Sequence, residues 1–286
     1  MGLFAPPAAY LLGWVGARGA VGLSLGLIAV FGVGRALVPG TALVIAATFP
    51  VGIGMGLAGA LLPVAVKQRF PDRPAFATGV YTTGIQLGSA LSAAASVPLA
   101  GAVGGWRASL LTFSALTGCL VGAWLVLTRR GTGARPDWAR PPRLPWRSGL
   151  AWLLALLFGL MGLVYYGINS WLPDSYVERG WSEGRAGALL AVLNVAALSS
   201  SLAVPWLADR HGSRRTYLVS LAALLALALT GLVLVPAGGY AWAAVVGLAI
   251  GALFPLVLTL PLDLSRTPAE VGALVGMMLG GGYVLA

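Results

Sequence analysis

The chain is built from long apolar runs separated by short basic loops, and these runs decide what it can fold into. Val21–Pro39, Ala42–Val66, Phe76–Val103, Ala108–Leu127, Gly149–Pro173, Ala186–Leu207, Tyr217–Pro236 and Tyr240–Leu264 each approach or exceed the length that crosses a bilayer as a helix, roughly 20 residues. Gly2–Leu12 and Ala269–Ala286 read as two partial spans. In lipid, backbone polar groups must be satisfied within a helix or a closed barrel. Barrel strands alternate polar and apolar residues over about 10 positions, and these runs do not. An all-α polytopic membrane protein is therefore expected. Composition agrees, with 58% hydrophobic and 9% charged residues. A soluble domain has about 45–50% and about 25%.

The loops set an orientation. Taken alternately, one set carries Arg18; Lys67, Arg69 and Arg73; Arg129, Arg130, Arg135, Arg140, Arg143 and Arg147; Arg210, Arg214 and Arg215; and Arg266. The other set carries only Arg35, Arg107, Arg179 and Arg185. Positive residues stay on the cytoplasmic side, so the first set is expected there. The net charge of +10 then reads as a topology signal. It does not indicate a nucleic-acid surface, because the bases are not gathered on polar helices among aromatics. The bilayer is the expected partner, and no nucleic acid is. The single Cys119 lies in an apolar run and has no second cysteine to pair with.

The longest polar segment, Arg129–Ser148, is rich in Arg and Pro and reads as a linker. It divides the chain into an N-terminal helical bundle (1–128), a cytoplasmic linker (129–148) and a C-terminal bundle (149–286). Repeats support the division. GALLP at Gly59–Pro63 recurs as GALFP at Gly251–Pro255, and ARG at Ala17–Gly19 stands opposite RHG at Arg210–Gly212. Two parallel halves of this kind suit a transporter of repeated bundles. By the repeat, each half shows five helices of an expected six.

Two enzyme-like patterns lose force in this context. GMGLAG at Gly54–Gly59 fits G-x-G-x-x-G, but lies inside an apolar span, with Asp72 only beyond it. A dinucleotide site needs a strand before the motif and an acid about 20 residues on. Gly52, Gly56 and Ala60 instead make a small-residue stripe suited to helix packing. GLSLG at Gly22–Gly26 fits a nucleophile elbow, yet Ser24 follows no strand, and the only histidine, His211, lies in another loop. No carboxylate pair or Cys/His cluster is present for acid–base or metal chemistry. No catalytic residue, metal or cofactor is expected.

The loop Asp209-Arg210-His211-Gly212-Ser213-Arg214-Arg215 resembles the signature loop of the major facilitator superfamily, G-x-x-x-D-R-x-G-R-R. Pro205 stands where that pattern has its first Gly, and Ser213 where a base is usual. The stretch around Ala17–Gly19 resembles an eroded copy without its Asp. Three longer stretches are similar to the cyanate/nitroimidazole transporter-like family of that superfamily: Leu61–Tyr81 (LLPVAVKQRFPDRPAFATGVY), Tyr165–Leu190 (YYGINSWLPDSYVERGWSEGRAGALL) and Gly251–Ala286. The resemblance implies a two-bundle fold of twelve helices, of which this chain supplies about ten. It also implies that Asp209, Arg210, Gly212, Arg214 and Arg215 form a latch tying helices together in one transport state. Asp209 lies near the carboxyl end of its own helix, where the dipole disfavours an anion. It needs Arg210, Arg214 or the amino end of another helix. Thr267-Pro268-Ala269-Glu270 reads as such a start, with Thr267 as N-cap and Pro268 in the first turn. The competing reading is a stop-transfer cluster.

Polar residues inside a span usually face a cavity or a neighbouring helix. Thr82, Gln86, Tyr165, Tyr166, Asn169, Asn194 and Thr259 are the candidates for a substrate pathway, with helix–helix hydrogen bonding as their alternative role. No carboxylate lies deep in a span, so proton coupling stays open. The expected function is secondary active or facilitative transport of a small organic molecule or anion by alternating access. The expected setting is a multi-pass monomer in a bacterial cytoplasmic membrane. The alternatives are a membrane-embedded enzyme, which the lack of clustered reactive groups disfavours, and a non-transporting sensor or scaffold.

Overall fold

A computed structural model describes residues 8–128, 144–212 and 214–285 of the chain. Among them are nine α-helices and no strand: α1 Ala8–Leu37, α2 Thr41–Arg69, α3 Pro74–Val103, α4 Trp106–Leu127, α5 Gly149–Val177, α6 Glu183–His211, α7 Arg214–Leu234, α8 Gly239–Leu264 and α9 Pro268–Leu285. A short 3-10 turn, Pro236–Gly238, leads into α8. Most of the segment read as a linker, 129–143, lies outside the described residues.

The apolar runs become helices, with one difference in detail. The tail read at Gly2–Leu12 and the span after it are joined in α1, which breaks at Gly16. Its φ of 69° and ψ of 171° leave the helical region at a residue without a Cβ to object. Among the described residues, eight helices, α9 included, carry stretches long and apolar enough to cross a membrane. Prolines inside α2, α3, α5, α6 and α8 are tolerable in membrane helices, where neighbours and side chains re-satisfy the freed carbonyls.

The chain forms two contact units, each assembled from several segments. One holds residues up to Ala65, Gly88–Trp152 and Ser265–Gly281. Within it α1 packs on α4. Arg18 donates to Leu125 O at 2.8 Å while Trp124 Nε1 donates to Arg18 O at 3.1 Å. At the other end of α1, Arg107 donates to Ala36 O and Val38 O at 3.2 and 2.9 Å, occupying carbonyls that a helix end leaves open. Helix α2 approaches α1 at Gly54, where a Cβ would stand 2.7 Å from Ser24 O. The two enzyme-like motifs therefore meet in one helix crossing. The close approach is made by Gly54 and not by Gly52, whose Cβ would meet nothing.

The other unit holds Val66–Leu87, Leu153–Leu264 and the residues from Gly282 onward. Helix α8 is its centre, packed on α6 and α7. Gly247 and Gly251 press α8 onto Leu193 O and Ala197 O, leaving no room for a Cβ. Such contacts let membrane helices gain packing that lipid alone would not give.

Candidate functional site

Gly212 ends α6 with φ 70° and its N–H on Ala208 O at 3.0 Å. This left-handed cap is the role glycine fills best. The chain turns at once into α7, so Asp209 and Arg214 face each other. Arg214 Nη2 donates to Asp209 Oδ1 at 2.9 Å, and Arg214 Nε lies 2.9 Å from Asp263 Oδ2 at the end of α8. Nearby, Lys67 Nζ donates to Leu262 O at 2.7 Å.

Asp209 has two further partners. Its Oδ2 accepts from Phe76 N at 2.7 Å and its Oδ1 from Ala75 N at 3.3 Å. These amides belong to the first turn of α3, where Pro74 is the first helical residue. Arg73 O accepts from Ala77 N at 3.1 Å, which makes Arg73 the N-cap. Arginine has no acceptor to offer the second and third amides, the ones an N-cap side chain normally serves. Asp209 serves them from 133 residues away. The anion that is out of place on its own helix is in place at the start of another, between an arginine and a positive helix end. The Asp209 side chain is only 6% exposed, so solvent screens these contacts little.

The helix start expected to receive Asp209, at Pro268, is already closed by its own residues. Thr267 Oγ1 accepts from Glu270 N at 3.2 Å. Glu270 Oε2 accepts from Arg266 N and Thr267 N at 2.8 and 3.3 Å. This is a capping box, which α9 makes from residues beside its own start. Of the loop's other arginines, Arg210 lies 5.6 Å over the Trp206 ring and Arg215 is exposed. Both ion pairs found among the described residues belong to Arg214. His211 Nδ1 is 2.9 Å from Leu207 O and 3.1 Å from Tyr217 Oη, outside the cluster. Sequence reasoning missed Asp263 and took Lys67 for a topology charge. The repeat held the missing signal, since RP at Arg73-Pro74 stands opposite TP at Thr267-Pro268.

The pathway candidates fall into two groups. Thr82 and Thr259 are fully buried and bonded to their own helices, Thr82 to Thr78 O and Gly79 O, Thr259 to Pro255 O and Leu256 O. Gln86 and Asn169 are half-buried, Asn194 is exposed, and Tyr165 and Tyr166 are 38% and 49% exposed. Asn169 and Asn194 each donate one N–H a turn back, to Tyr165 O and Leu190 O, at 2.8 and 2.7 Å. Their carbonyl oxygens and second N–H groups have no partner among these bonds. At about 1.5 Å per residue, Gln86, Tyr165, Tyr166, Asn169 and Asn194 stand about 18–30 Å from the helix ends expected in the cytoplasm. Thr82 and Thr259 stand about 12 and 8 Å from theirs. A further polar tie, Thr83 Oγ1 to Ser201 Oγ at 2.7 Å, joins α3 to α6. No group of three or more His, Cys, Asp or Glu suited to a metal occurs among the described residues.

Comparison with known proteins matches this arrangement. The chain is 32% identical over 287 aligned residues to the cyanate transport protein CynX of Escherichia coli, covering 100% of this chain and 74% of that protein. It is 32% identical over 250 residues to the 2-nitroimidazole transporter of Escherichia coli, covering 87% and 64%. It is 29% identical over 248 residues to the probable nitrate/nitrite transporter NarK2 of Mycobacterium tuberculosis, covering 81% and 60%. The chain thus spans about three quarters of the first relative and less than two thirds of the other two. In fold it is similar to the proton:xylose symporter XylE, with a TM-score of 0.78 at 15% identity over 99% of this chain and 74% of that one. It is also similar to the Escherichia coli fucose:proton symporter FucP, with a TM-score of 0.73 at 16% identity over 99% and 79%. The model of the Major Facilitator Superfamily matches residues 1–286, and with apolar helices, repeated halves and the Asp209 loop in agreement, the chain belongs to that superfamily of membrane proteins.

Proposed function

We propose that this protein carries a small organic molecule or anion across a bacterial cytoplasmic membrane by alternating access, and that it catalyses no reaction. In this reading the bundles are 1–128 and 149–286, joined by the cytoplasmic linker 129–148, and a monomer suffices. The observation that supports it best is the cap that Asp209 places on α3. A buried carboxylate that completes a helix 133 residues away ties the two halves of the sequence by a contact that can be made or lost as a unit. Arg210, Gly212, Arg214 and Arg215 serve the latch unequally. Gly212 makes the turn, Arg214 makes the ion pairs, and the other two are surface charges.

The relatives named for cyanate, 2-nitroimidazole and nitrate suggest the substrate class, and the charge of this chain fits it. The net charge is +10, and no carboxylate lies deep in a span, so the field along the path favours anions and polar neutral molecules over cations. Gln86, Tyr165, Tyr166, Asn169 and Asn194 would line the path at mid-depth, with Thr82 and Thr259 below them. The test is uptake of labelled cyanate, 2-nitroimidazole and nitrate into vesicles carrying the protein, with and without a protonophore. Saturable uptake of at least one is expected, and its response to the protonophore reports coupling. No saturable uptake of any of the three would end this reading.

A further inference from the structure

Arg214 reaches two carboxylates at once. Its Nη2 lies 2.9 Å from Asp209 Oδ1 and its Nε 2.9 Å from Asp263 Oδ2. A guanidinium pairs best with one carboxylate, through two parallel N–H groups. Arg214 instead sets one nitrogen toward each acid, and its Nη1 is buried with no partner among the described residues. A buried N–H without an acceptor costs free energy. The bridging arrangement is thus short of a bond that either acid alone could supply.

Both acids have room for that bond. A carboxylate offers about four acceptor positions. Asp209 uses three, for Phe76 N, Ala75 N and Arg214, and Asp263 meets Arg214 through Oδ2. Both acids also need the cation. Asp209 stands in the last turn of α6 and Asp263 in the last turn of α8, where the dipole disfavours an anion. Arg214 opens α7, where a cation is disfavoured in turn. Lys67, the other cation at the end of α8, is placed on Leu262 O at 2.7 Å. Two anions at two helix carboxyl ends therefore share one guanidinium, and like charges that close repel.

The two acids differ in what else they hold. Asp209 is 6% exposed and fixed by the α3 amides, whereas Asp263 is 33% exposed. While α3 is capped, Asp209 cannot turn, so Arg214 must bridge, with Nη1 unpaired and both anions held near each other. Once the α3 amides leave, Asp209 is free to turn away, and Arg214 can close on one acid with two N–H groups. The cost of bridging therefore falls on the capped state.

We propose that Asp263 is a positioning residue that acts on the latch through Arg214, as a counterweight that makes the cap on α3 easier to release. The proposal rests on the latch reading of Asp209 and adds what sets its strength. Without the Asp263 charge, Arg214 can give two bonds to Asp209 while α3 stays capped. An ion pair that merely fastened α8 to α7 would act in the opposite sense, since its removal would loosen the cluster.

The test reads how readily the start of α3 opens, and it needs no substrate. The full chain carries Thr78→Cys and Cys119→Ala, in inside-out vesicles treated with an impermeant maleimide. Thr78 is 0% exposed. Asp263→Asn and Asp263→Ala should each slow labelling about 2-fold or more, with unchanged amounts of protein in the membrane. Asp263→Glu, which keeps the charge, should label near the parent rate. In an Asp209→Asn background the slowing should vanish. Unchanged or faster labelling in both the Asn and the Ala variant would overturn the counterweight, and so would a Glu variant as slow as the Ala one. If Asp209→Asn alone speeds labelling and the Asp263 variants do too, the latch stands and the counterweight falls. If Asp209→Asn leaves labelling unchanged, both fall.

Discussion

Asp209→Asn is the substitution that bears most directly on the latch. It keeps the size of the side chain and removes the charge. In the native site the carboxylate accepts from Phe76 N at 2.7 Å, from Ala75 N at 3.3 Å and from Arg214 at 2.9 Å. Asparagine retains one oxygen for these donors and turns an N–H2 toward the rest. Hydrogen bonds to a charged group contribute about 1.5–3 kcal/mol each, and one strong contact survives, so the net loss is about 1–3 kcal/mol. A loss of that size shifts a conformational equilibrium by about 5- to 150-fold. The reporter is Thr78→Cys in a Cys119→Ala background, since Cys119 is exposed and would react itself. Thr78 is 0% exposed and lies one turn into α3 from the capped end. Inside-out vesicles would be treated with an impermeant maleimide. Asp209→Asn should speed labelling several-fold at least, with unchanged amounts of protein in the membrane. Equal labelling rates in the two backgrounds would refute the latch. Loss of protein on Arg210 or Arg215 substitution with Asp209→Asn silent would point instead to a stop-transfer cluster.

Other expectations follow from the same geometry. Arg73→Ser gives α3 an N-cap acceptor of its own, worth about 1 kcal/mol. In the Asp209→Asn background it should restore thermal stability while labelling at position 78 stays fast. Gln86→Ala and Asn194→Ala should change uptake per molecule more than abundance, as read by uptake alongside immunoblot; reduced abundance with normal specific uptake would make both packing residues. Gly251→Val forces a side chain into Ala197 O and Ser200 Oγ, an overpacking cost of about 1–3 kcal/mol that should lower the melting temperature of purified protein. A single cysteine at Ser182 should be labelled from outside intact cells and one at Asp137 should not; the opposite pattern would reverse the orientation.

Much of the fold could be read in the sequence because lipid leaves a chain few options. A run such as Tyr240–Leu264 has to become a helix, and it does, as α8. The Asp209 loop was legible because a charged cluster stands out against apolar spans, and because an anion at a helix carboxyl end needs a partner. The identity of that partner was not legible. Pro74 and Pro268 both start helices, and only the Thr267–Glu270 box shows that α9 caps itself. A rule of exclusion would have worked: the start with Thr and Glu at the right spacing is closed, so the start with Arg at its N-cap is the open one. Gly54 was hidden for another reason. A stripe of small residues marks a helix face but not the residue at which two backbones cross. The ring contacts of Phe158 with Phe254 and Tyr283 were not legible, because the three residues are far apart in sequence and rings are common in spans.

The borrowed cap on α3 has a consequence for how the protein is made. Phe76 and Asp209 are separated by 133 residues, which is about 7–27 s of synthesis at about 5–20 residues per second. During that interval the first turn of α3 has left the ribosome and its acceptor has not been made. The amides of Ala75 and Phe76 must be hydrated until residue 209 arrives, so that turn waits at the membrane surface. The charged stretch Arg69–Arg73 just before it suits such a place. Helix α9, whose box lies within five residues of its own start, faces no such delay. One helix is finished as it is synthesised, and the other is finished only when the second half of the chain reaches back to it.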